Sequence, residues 1–352
     1  MSAATGFRHR VDGLARALST TLGTTLLPDD VLGAFNPMWS RRAPRARVVR
    51  TVRETADTTT LYLRPGLPFP AHRAGQYVGI GLRIDGVWQW RTYSVTSRPD
   101  APLLAVTVTA VPGGLMSGRL AHHTPAGAVV GLGPAAGEFV LPRAVPEKLL
   151  FVTAGSGITP VMGMLRTLGA AELAGAVLVH SDRTPDDVVF GPELRALPGL
   201  RYVEHHSARR GRLTPELLDE LVPDRPARAT WACGPAGLLD ALAESWPEVR
   251  IERFAPKRVS STAGTGGRIT LATSGIVAVA APGTPVMAAG EAAGALMPSG
   301  CRMGICHTCV GKLQSGAVRD LQTGELVDAA DQPGRPVRTC VSAPAGDITV
   351  DL

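Results

Sequence analysis

No stretch of this 352-residue chain approaches the ~18 uninterrupted apolar residues that a membrane span needs. No secretory leader opens it either, so the sequence predicts a cytoplasmic protein in a reducing compartment. Cysteine is scarce, five residues in all, and in such a compartment a cluster of them points to metal ligation rather than to disulfides. Aromatic residues make up only 5% of the chain. None is interleaved with the arginines of SRRAPRARVVR, which argues against a nucleic-acid face. Internal repeats are absent too, which excludes a repeat array.

What is present is globular in character, 45% apolar and 19% charged. The length is too great for one ordinary core and predicts two or three domains. The formal charge of +6 is unevenly placed. From Ile269 onward there are five basic and seven acidic residues, a balance of −2, which leaves +8 on the remainder. A basic body of this kind can serve anionic cofactors.

Residues 1–44 form a leader that reads as partly helical over VDGLARALSTTL and breaks at Pro28 and Pro37. Residues 45–143 carry short alternating runs such as RARVVRTVRE, TTTLYLRP, GQYVGIGLRI and LLAVTVTAV, punctuated by Gly and Pro, which predicts an antiparallel β-barrel or sandwich. Over 144–256 the rhythm changes to strand then helix. KLLFVTA precedes PVMGMLRTLG, GAVLVHS precedes PDDVVFGPELRAL, RYVEHHS precedes TPELLDELV, and RATWACG precedes PAGLLDALAESW. Such alternation predicts βαβ units on a parallel sheet. KRVSSTAGTGG, residues 257–267, is small and polar and reads as a linker. Residues 268–352 then make a compact small domain.

That last segment holds four of the five cysteines. Cys301, Cys306 and Cys309 follow C-x4-C-x2-C, and Cys340 comes after thirty intervening residues. This is the plant-type 2Fe-2S spacing, in which one loop supplies three thiolates and a distant position the fourth. Gly300 and Gly304 let the loop wrap closely around its contents. A structural zinc site more often shows two C-x2-C pairs, and haem attachment needs His where Val310 stands. His307 reads as an exposed loop residue.

Three further motifs are weaker singly. RTYSVTS, if a strand, puts Arg91 and Tyr93 on one face, where a cation and an aromatic plate can address a phosphate and a flat ring. A surface arginine and a core tyrosine are the plainer alternative. GGLMSGRL offers a glycine turn at Gly114 opening a helix from Met116, with backbone N–H groups for a pyrophosphate. TAGSGITP places Gly155 and Gly157 between a strand and a helix, with Pro160 at the first helical position, a phosphate-accepting helix terminus or simply a tight turn. The fifth cysteine, Cys233, ends a strand in WACGPAG, where parallel sheets gather ligands. Taken alone it is a buried inert thiol.

In order along the chain these motifs resemble the ferredoxin-NADP reductase superfamily, in the fused form with a C-terminal plant-type ferredoxin domain. The resemblance covers about residues 45–352. The flavin signature R-x-Y-S-x-x-S matches Arg91, Tyr93, Ser94 and Ser97, the G-x-x-S turn matches Gly114, Leu115, Met116 and Ser117, and GPAAGEF resembles the end of the barrel. The nicotinamide loop matches Gly155 to Pro160, and C-G-P matches Cys233, Gly234 and Pro235. The resemblance implies an FAD-binding β-barrel over 45–143, an NAD(P)-binding α/β domain over 144–256, and a β-grasp, α+β 2Fe-2S domain over 268–352.

By the same resemblance Arg91 contacts the flavin pyrophosphate, Tyr93 stacks on the isoalloxazine, and Ser94 lies near N5. Thr159 and Cys233 lie by the nicotinamide, and Phe254 of IERFAP is a candidate lid over the flavin. The family meets the 2′-phosphate of NADPH with Ser and Arg after its third nucleotide-domain strand. HHSARRGR offers Ser207, Arg209 and Arg210 there, with Ala208 interrupting the usual Ser-Arg pair. Asp182 could take a ribose diol, but Arg183 beside it argues for phosphate. NADPH is therefore expected, with NADH as the alternative.

The implied function is a chain of carriers. Hydride delivers two electrons together, a 2Fe-2S cluster moves them singly, and a flavin must stand between. The expected acceptor is an oxygen-activating enzyme. The leader LLPDDVLGAFNPMWS and the loop CRMGIC look like those of reductases serving membrane acyl-CoA desaturases. On that reading fatty acid desaturation is the process served, and the chain reaches the membrane surface only through its partner. Reductases of Rieske dioxygenases or hydroxylases are the alternative, and a redox-sensing binding protein is a more distant one.

Overall fold

The computed structural model describes residues 36–39, 44–84, 87–254, 265–300, 302, 304 and 308–352. The expected leader helix over VDGLARALSTTL, most of the linker, and Cys301, Cys306 and His307 lie outside the described residues.

The first sheet comprises β1 (Arg45–Arg53), β2 (Thr58–Pro65), β3 (Tyr77–Ile84), β4 (Val87–Ser94), β5 (Leu104–Thr109) and β6 (Val129–Ala136), in the order β4-β3-β6-β1-β2-β5. The pairs β1 with β2, β1 with β6, β2 with β5 and β3 with β6 are antiparallel. Alternation in the sequence becomes alternation in burial, with Ala46 and Val48 buried and Arg47 exposed between them. β2 and β5 face each other through threonine pairs, Thr60 with Thr107 at 2.8 Å and Thr58 with Thr109 at 2.9 Å. One hydroxyl of each pair donates to the other, the Thr60–Thr107 pair being buried, and β-branched residues suit the pleat. Just past β4, Val95 bridges to Val106 of β5, and the Thr96 N–H donates to the Ala105 carbonyl at 2.9 Å. The segment after the first strand of the order thus meets the last strand, which closes the sheet toward a barrel. Helix α1 (Leu115–His122) follows β5.

The second sheet is built from β7 (Leu149–Ala154), β8 (Ala176–Asp182), β9 (Arg201–His206), β10 (Ala229–Cys233) and β11 (Arg250–Glu252), in the order β11-β10-β7-β8-β9. β7 with β8 and β8 with β9 are parallel. Leu149 to Val152 and Ala176 to Val179 are buried without interruption, as strands covered on both faces must be. The connections carry α2 (Ile158–Leu165), α3 (Ala170–Ala174), α4 (Gly191–Ala196), α5 (Ser207–Arg210), α6 (Pro215–Leu221) and α7 (Ala236–Ser245). Strand order runs outward from β7 to β9 and resumes with β10 on the other side of β7, the reversal beside which α/β sheets bind ligands.

Residues 93–213, spanning much of barrel and sheet, share one compact unit. Trp231 is fully buried, its ring centroid 6.0 Å from that of Phe151, and its indole N–H donates at 3.3 Å to the carbonyl of Val140 on the segment leaving the barrel. Arg166, at the end of α2, donates to the Thr96 carbonyl at 2.6 Å and grips Glu193 of α4 at 2.8 and 2.6 Å.

The C-terminal segment contains β12 (Gly267–Leu271), β13 (Val277–Ala280), β14 (Val310–Ser315), β15 (Ala317–Asp320), β16 (Leu326–Asp328), β17 (Arg335–Arg338), β18 (Ser342–Pro344) and β19 (Ile348–Asp351). A five-stranded sheet runs β13-β12-β19-β14-β17, and β16-β15-β18 form a smaller one. β12 lies parallel to β19, while β12 with β13, β14 with β17 and β14 with β19 are antiparallel. Helix α8 (Val286–Ala292) adds Val286 and Met287 to the core. This is the α+β architecture expected of the segment. Gly267, the last residue of the expected linker, already opens β12 opposite Ala280. A Cβ there would sit 2.1 Å from the Gly346 carbonyl oxygen, so close backbone packing and not flexibility accounts for this glycine. Among the described residues no helix is long and apolar enough to cross a membrane.

Candidate functional site

Two of the four cluster cysteines are described, and the fold brings them together from positions 31 apart in sequence. Cys309 precedes β14, Cys340 follows β17, and those strands pair antiparallel with Val310 opposite Arg338. The Cys309 carbonyl accepts from the Thr339 N–H at 3.1 Å and from its hydroxyl at 2.9 Å. Both thiols are buried, and their sulfurs lie 3.1 Å apart. A disulfide requires about 2.05 Å, so these are two separate thiols held side by side, as thiols available to bind one metal would be. The loop between Cys301 and Cys306 fits the same purpose. Gly304 has φ +72, and a Cβ on it would lie 2.9 Å from both Gln322 Oε1 and Val341 Cγ2. Arg302, at φ +59, is drawn to α8 by Glu291 through two hydrogen bonds of 2.8 and 2.6 Å.

The flavin-signature residues occupy the end of β4 and the turn after it. Ser94 and Ser97 are buried, and Arg91 and Tyr93 are half-buried. Ser97 accepts from the Ala105 N–H at 3.1 Å, so its hydroxyl holds the turn to β5. Gly114 caps α1, and no side chain satisfies that helix start. Ser117 turns inward instead, accepting from the Val111 N–H at 3.1 Å and donating to the Gly114 carbonyl at 3.3 Å. A Cβ on Gly114 would lie 2.5 Å from that hydroxyl and 2.9 Å from the Val111 carbonyl. The turn therefore sets a glycine at a helix terminus, where the N–H groups of Leu115 and Met116 fit the pyrophosphate of FAD.

At the nucleotide sheet, Gly155 takes φ +53 and opens a 3-10 turn, Gly155–Gly157, that runs into α2. Pro160 is consequently the third residue of α2 and not the first. It is tolerated there because first-turn N–H groups have no intrahelical partner. No side chain caps Gly157 either, and Thr159 donates its hydroxyl to the Ser156 carbonyl at 2.9 Å. A second feature lies beyond β8 and β9. Arg183, Thr184, Asp187, Ser207, Ala208, Gly211 and Arg212 line a cleft of about 580 Å³. The Ala208 N–H donates to the Arg183 carbonyl at 3.1 Å, which locks the two loops together. Arg183 and Ser207 thus line one cleft. Arg209 and Arg210 lie on α5 but outside the cleft lining, and Arg212, which the motif comparison passed over, lies within it. Asp182 is engaged by the fully buried His180, whose Nε2 is 3.1 Å from its carboxylate.

Cys233 is fully buried, and burial followed by the nearby Glu252 pushes its thiol well above the ordinary range. It stays a neutral thiol and is no nucleophile. Glu252 itself is pushed up by burial to about 7. Sequence reading passed over it, although IERFAP places it two residues before Phe254 and so on the same side of an extended chain. Phe254 is 41% exposed and is therefore not a core side chain.

Comparison with known proteins matches two segments of the chain to family models. The family described as the 2Fe-2S iron-sulfur cluster binding domain matches residues 269–345, and that described as the oxidoreductase NAD-binding domain matches 151–244. The chain is 44% identical, over 98% of its own length and 94% of the relative's, to an NADPH oxidoreductase of Mycobacterium tuberculosis. It is 28% identical, over 89% of its length and 96% of the relative's, to the glycine betaine monooxygenase reductase subunit of Pseudomonas aeruginosa. Among solved structures, phthalate dioxygenase reductase shares the fold with a TM-score of 0.62 at 24% identity, covering 88% of this chain and 97% of that one.

Proposed function

The chain belongs to the ferredoxin-NADP reductase superfamily, in the form carrying a C-terminal 2Fe-2S domain, and we propose that it is the reductase component of an oxygenase system, drawing on NADPH. The observation that carries the reading is the convergence of Cys309 and Cys340 in the core of a segment that follows a nucleotide-binding sheet. When bound, FAD takes up a hydride's two electrons together and the cluster passes them on singly. The residues have correspondingly separate tasks. Cys301, Cys306, Cys309 and Cys340 hold iron. The N–H groups after Gly114 bind the flavin pyrophosphate with Arg91, while Tyr93 and Ser94 face the ring. Gly155, Gly157 and Thr159, with Cys233, Gly234 and Pro235, receive the nicotinamide end. Arg183, Ser207 and Arg212 bind the 2′-phosphate in the cleft, with Arg209 and Arg210 adding positive charge nearby. Glu252, protonated more easily than an ordinary carboxyl, keeps charge low beside Cys233. Phe254 shields the flavin. The working domains on this reading are 45–143, 144–256 and 268–352.

For the partner, the relatives named as monooxygenase reductase subunits support an oxygenase, which we take to be of the Rieske type, over the acyl-CoA desaturase expected from the leader and CRMGIC. The desaturase reading rests on short local likenesses, most of whose residues lie outside those described. Reconstitution decides between them. NADPH oxidation by the purified chain should couple to product formation with a Rieske oxygenase component. Coupling only to a membrane desaturase would restore the other reading. In the same assay, Arg183→Ala with Arg212→Ala should lower kcat/KM for NADPH about tenfold or more while sparing NADH, the loss of charge-assisted bonds to one phosphate. Unchanged selectivity would move the phosphate site elsewhere.

A further inference from the structure

The loop between the first two cluster cysteines is braced from one side by a charged pair that no motif includes. Arg338 lies at the end of β17, two residues before Cys340 and opposite Val310, the residue after Cys309. Its Nη1 donates to the Gly304 carbonyl at 2.7 Å, inside the C-x4-C loop. Its Nη2 donates to Asp320 Oδ2 at 2.6 Å. The other carboxylate oxygen accepts from the N–H groups of Gln322 at 2.8 Å and Thr323 at 3.1 Å. Burial works to raise the Asp320 carboxyl, but those N–H groups and the guanidinium outweigh it and hold the group below the ordinary carboxylate range. Side-chain exposure is 29% for Arg338 and 12% for Asp320, so solvent screens neither charge fully.

The pair is oriented. Arg338 touches the cluster loop, and Asp320 stands behind it, anchored to the turn after β15. Four thiolates make the bound cluster anionic, and each electron it accepts adds one more negative charge with no proton to offset it. A cation held against the loop therefore attracts the reduced form more than the oxidised one, and the anion behind it partly cancels that attraction. The other cation at the loop, Arg302, is neutralised by Glu291 in two bonds.

We propose that Arg338 and Asp320 are positioning residues that set the potential of the cluster with opposite sign, Arg338 raising it and Asp320 restraining the rise. The proposal rests on the cluster assignment and adds to it how readily the cluster takes an electron from flavin. Its test is a redox titration of the full-length holoprotein followed by electron paramagnetic resonance, with iron and acid-labile sulfide counted for each variant. R338Q should shift the reduced-to-oxidised ratio at a fixed potential about tenfold toward oxidised, about 59 mV for one electron. D320N, which keeps an oxygen for the N–H groups of Gln322 and Thr323, should shift it a similar amount toward reduced. R338K should lie near wild type, and R338Q with D320N should return toward it. A merely structural brace would move both single variants the same way or leave both unmoved, and either result with iron retained overturns the proposal. Should R338Q shed its iron, the upward shift of D320N decides the matter alone. Wild-type protein without about two irons per chain would overturn the cluster assignment itself, a failure distinguishable from the first.

Discussion

The nucleotide-binding sheet and the cluster segment reach stability by different routes. β7 and β8 bury Leu149, Leu150, Phe151, Val152, Val177, Leu178 and Val179 almost completely, and Trp231 packs on Phe151. The cluster segment's core is made of smaller pieces, with Ala278, Ala280, Ala289, Ala295 and Ala329 standing beside Val and Ile, and with Cys309 and Cys340 among the core residues. Small domains bury too little surface to be generously stable. In the first region the ligand meets loops at the end of a sheet that packs without it. In the second, two of the proposed metal ligands are part of the packing, so on that proposal binding energy and folding energy are one quantity.

The sharpest way to expose that difference is Cys309→Ser in the full chain. The variant should lose its cluster, and electron delivery from NADPH to cytochrome c should fall roughly a hundredfold or more because the one-electron outlet is gone. Ferricyanide reduction at the flavin should persist. Calorimetry should show the C-terminal transition lowered or lost and the other nearly unmoved. If both transitions fall together, the two regions fold as one and the comparison fails.

The converse substitution is Trp231→Ala. Removing a fully buried indole next to Phe151 should cost about 3–5 kcal/mol in the nucleotide region, read as a fall in its transition while iron content stays constant. Its counterpart, Val279→Ala, concerns a side chain 81% exposed on the edge strand β13. That change should stay within about 0.5 kcal/mol.

Legibility in the sequence follows the same divide. Strand periodicity is local, so the barrel runs, the buried β7 and β8, and the helices between them could be read directly. The C-x4-C-x2-C spacing is local too and announced the cluster. What escaped depends on residues that meet only after folding. Pro160 looked like a first helical residue because nothing in TAGSGITP marks the 3-10 turn ahead of it. Arg212 joins Arg183 in lining one cleft, where Ala208 is tied to Arg183 across two loops. Arg338 and Asp320 lie 18 residues apart and have no signature beyond their opposite charges. Glu252 reads as an ordinary surface carboxylate until β11 is placed at the side of the sheet.

Glu252 also supplies the finest test of the comparison, since it is a half-buried carboxyl beside the fully buried Cys233. Its pKa in the folded protein, about 7, lies above the ordinary 4.5. The folded state therefore holds the proton more tightly than the unfolded one, and stability from this group is complete below about pH 4.5 and is lost as pH rises through about 7. At about 1.4 kcal/mol per pH unit the full loss over this span of about 2.5 units is at most about 3.5 kcal/mol. Glu252→Gln keeps the shape, removes the titration, and should flatten the denaturant-midpoint profile of the nucleotide region between pH 5 and 7.5, with wild type and variant converging at the acid end. A wild-type profile already flat across that range would mean that the carboxyl is solvated in solution, and that the thiol of Cys233 has a more polar neighbour than the buried strand end implies.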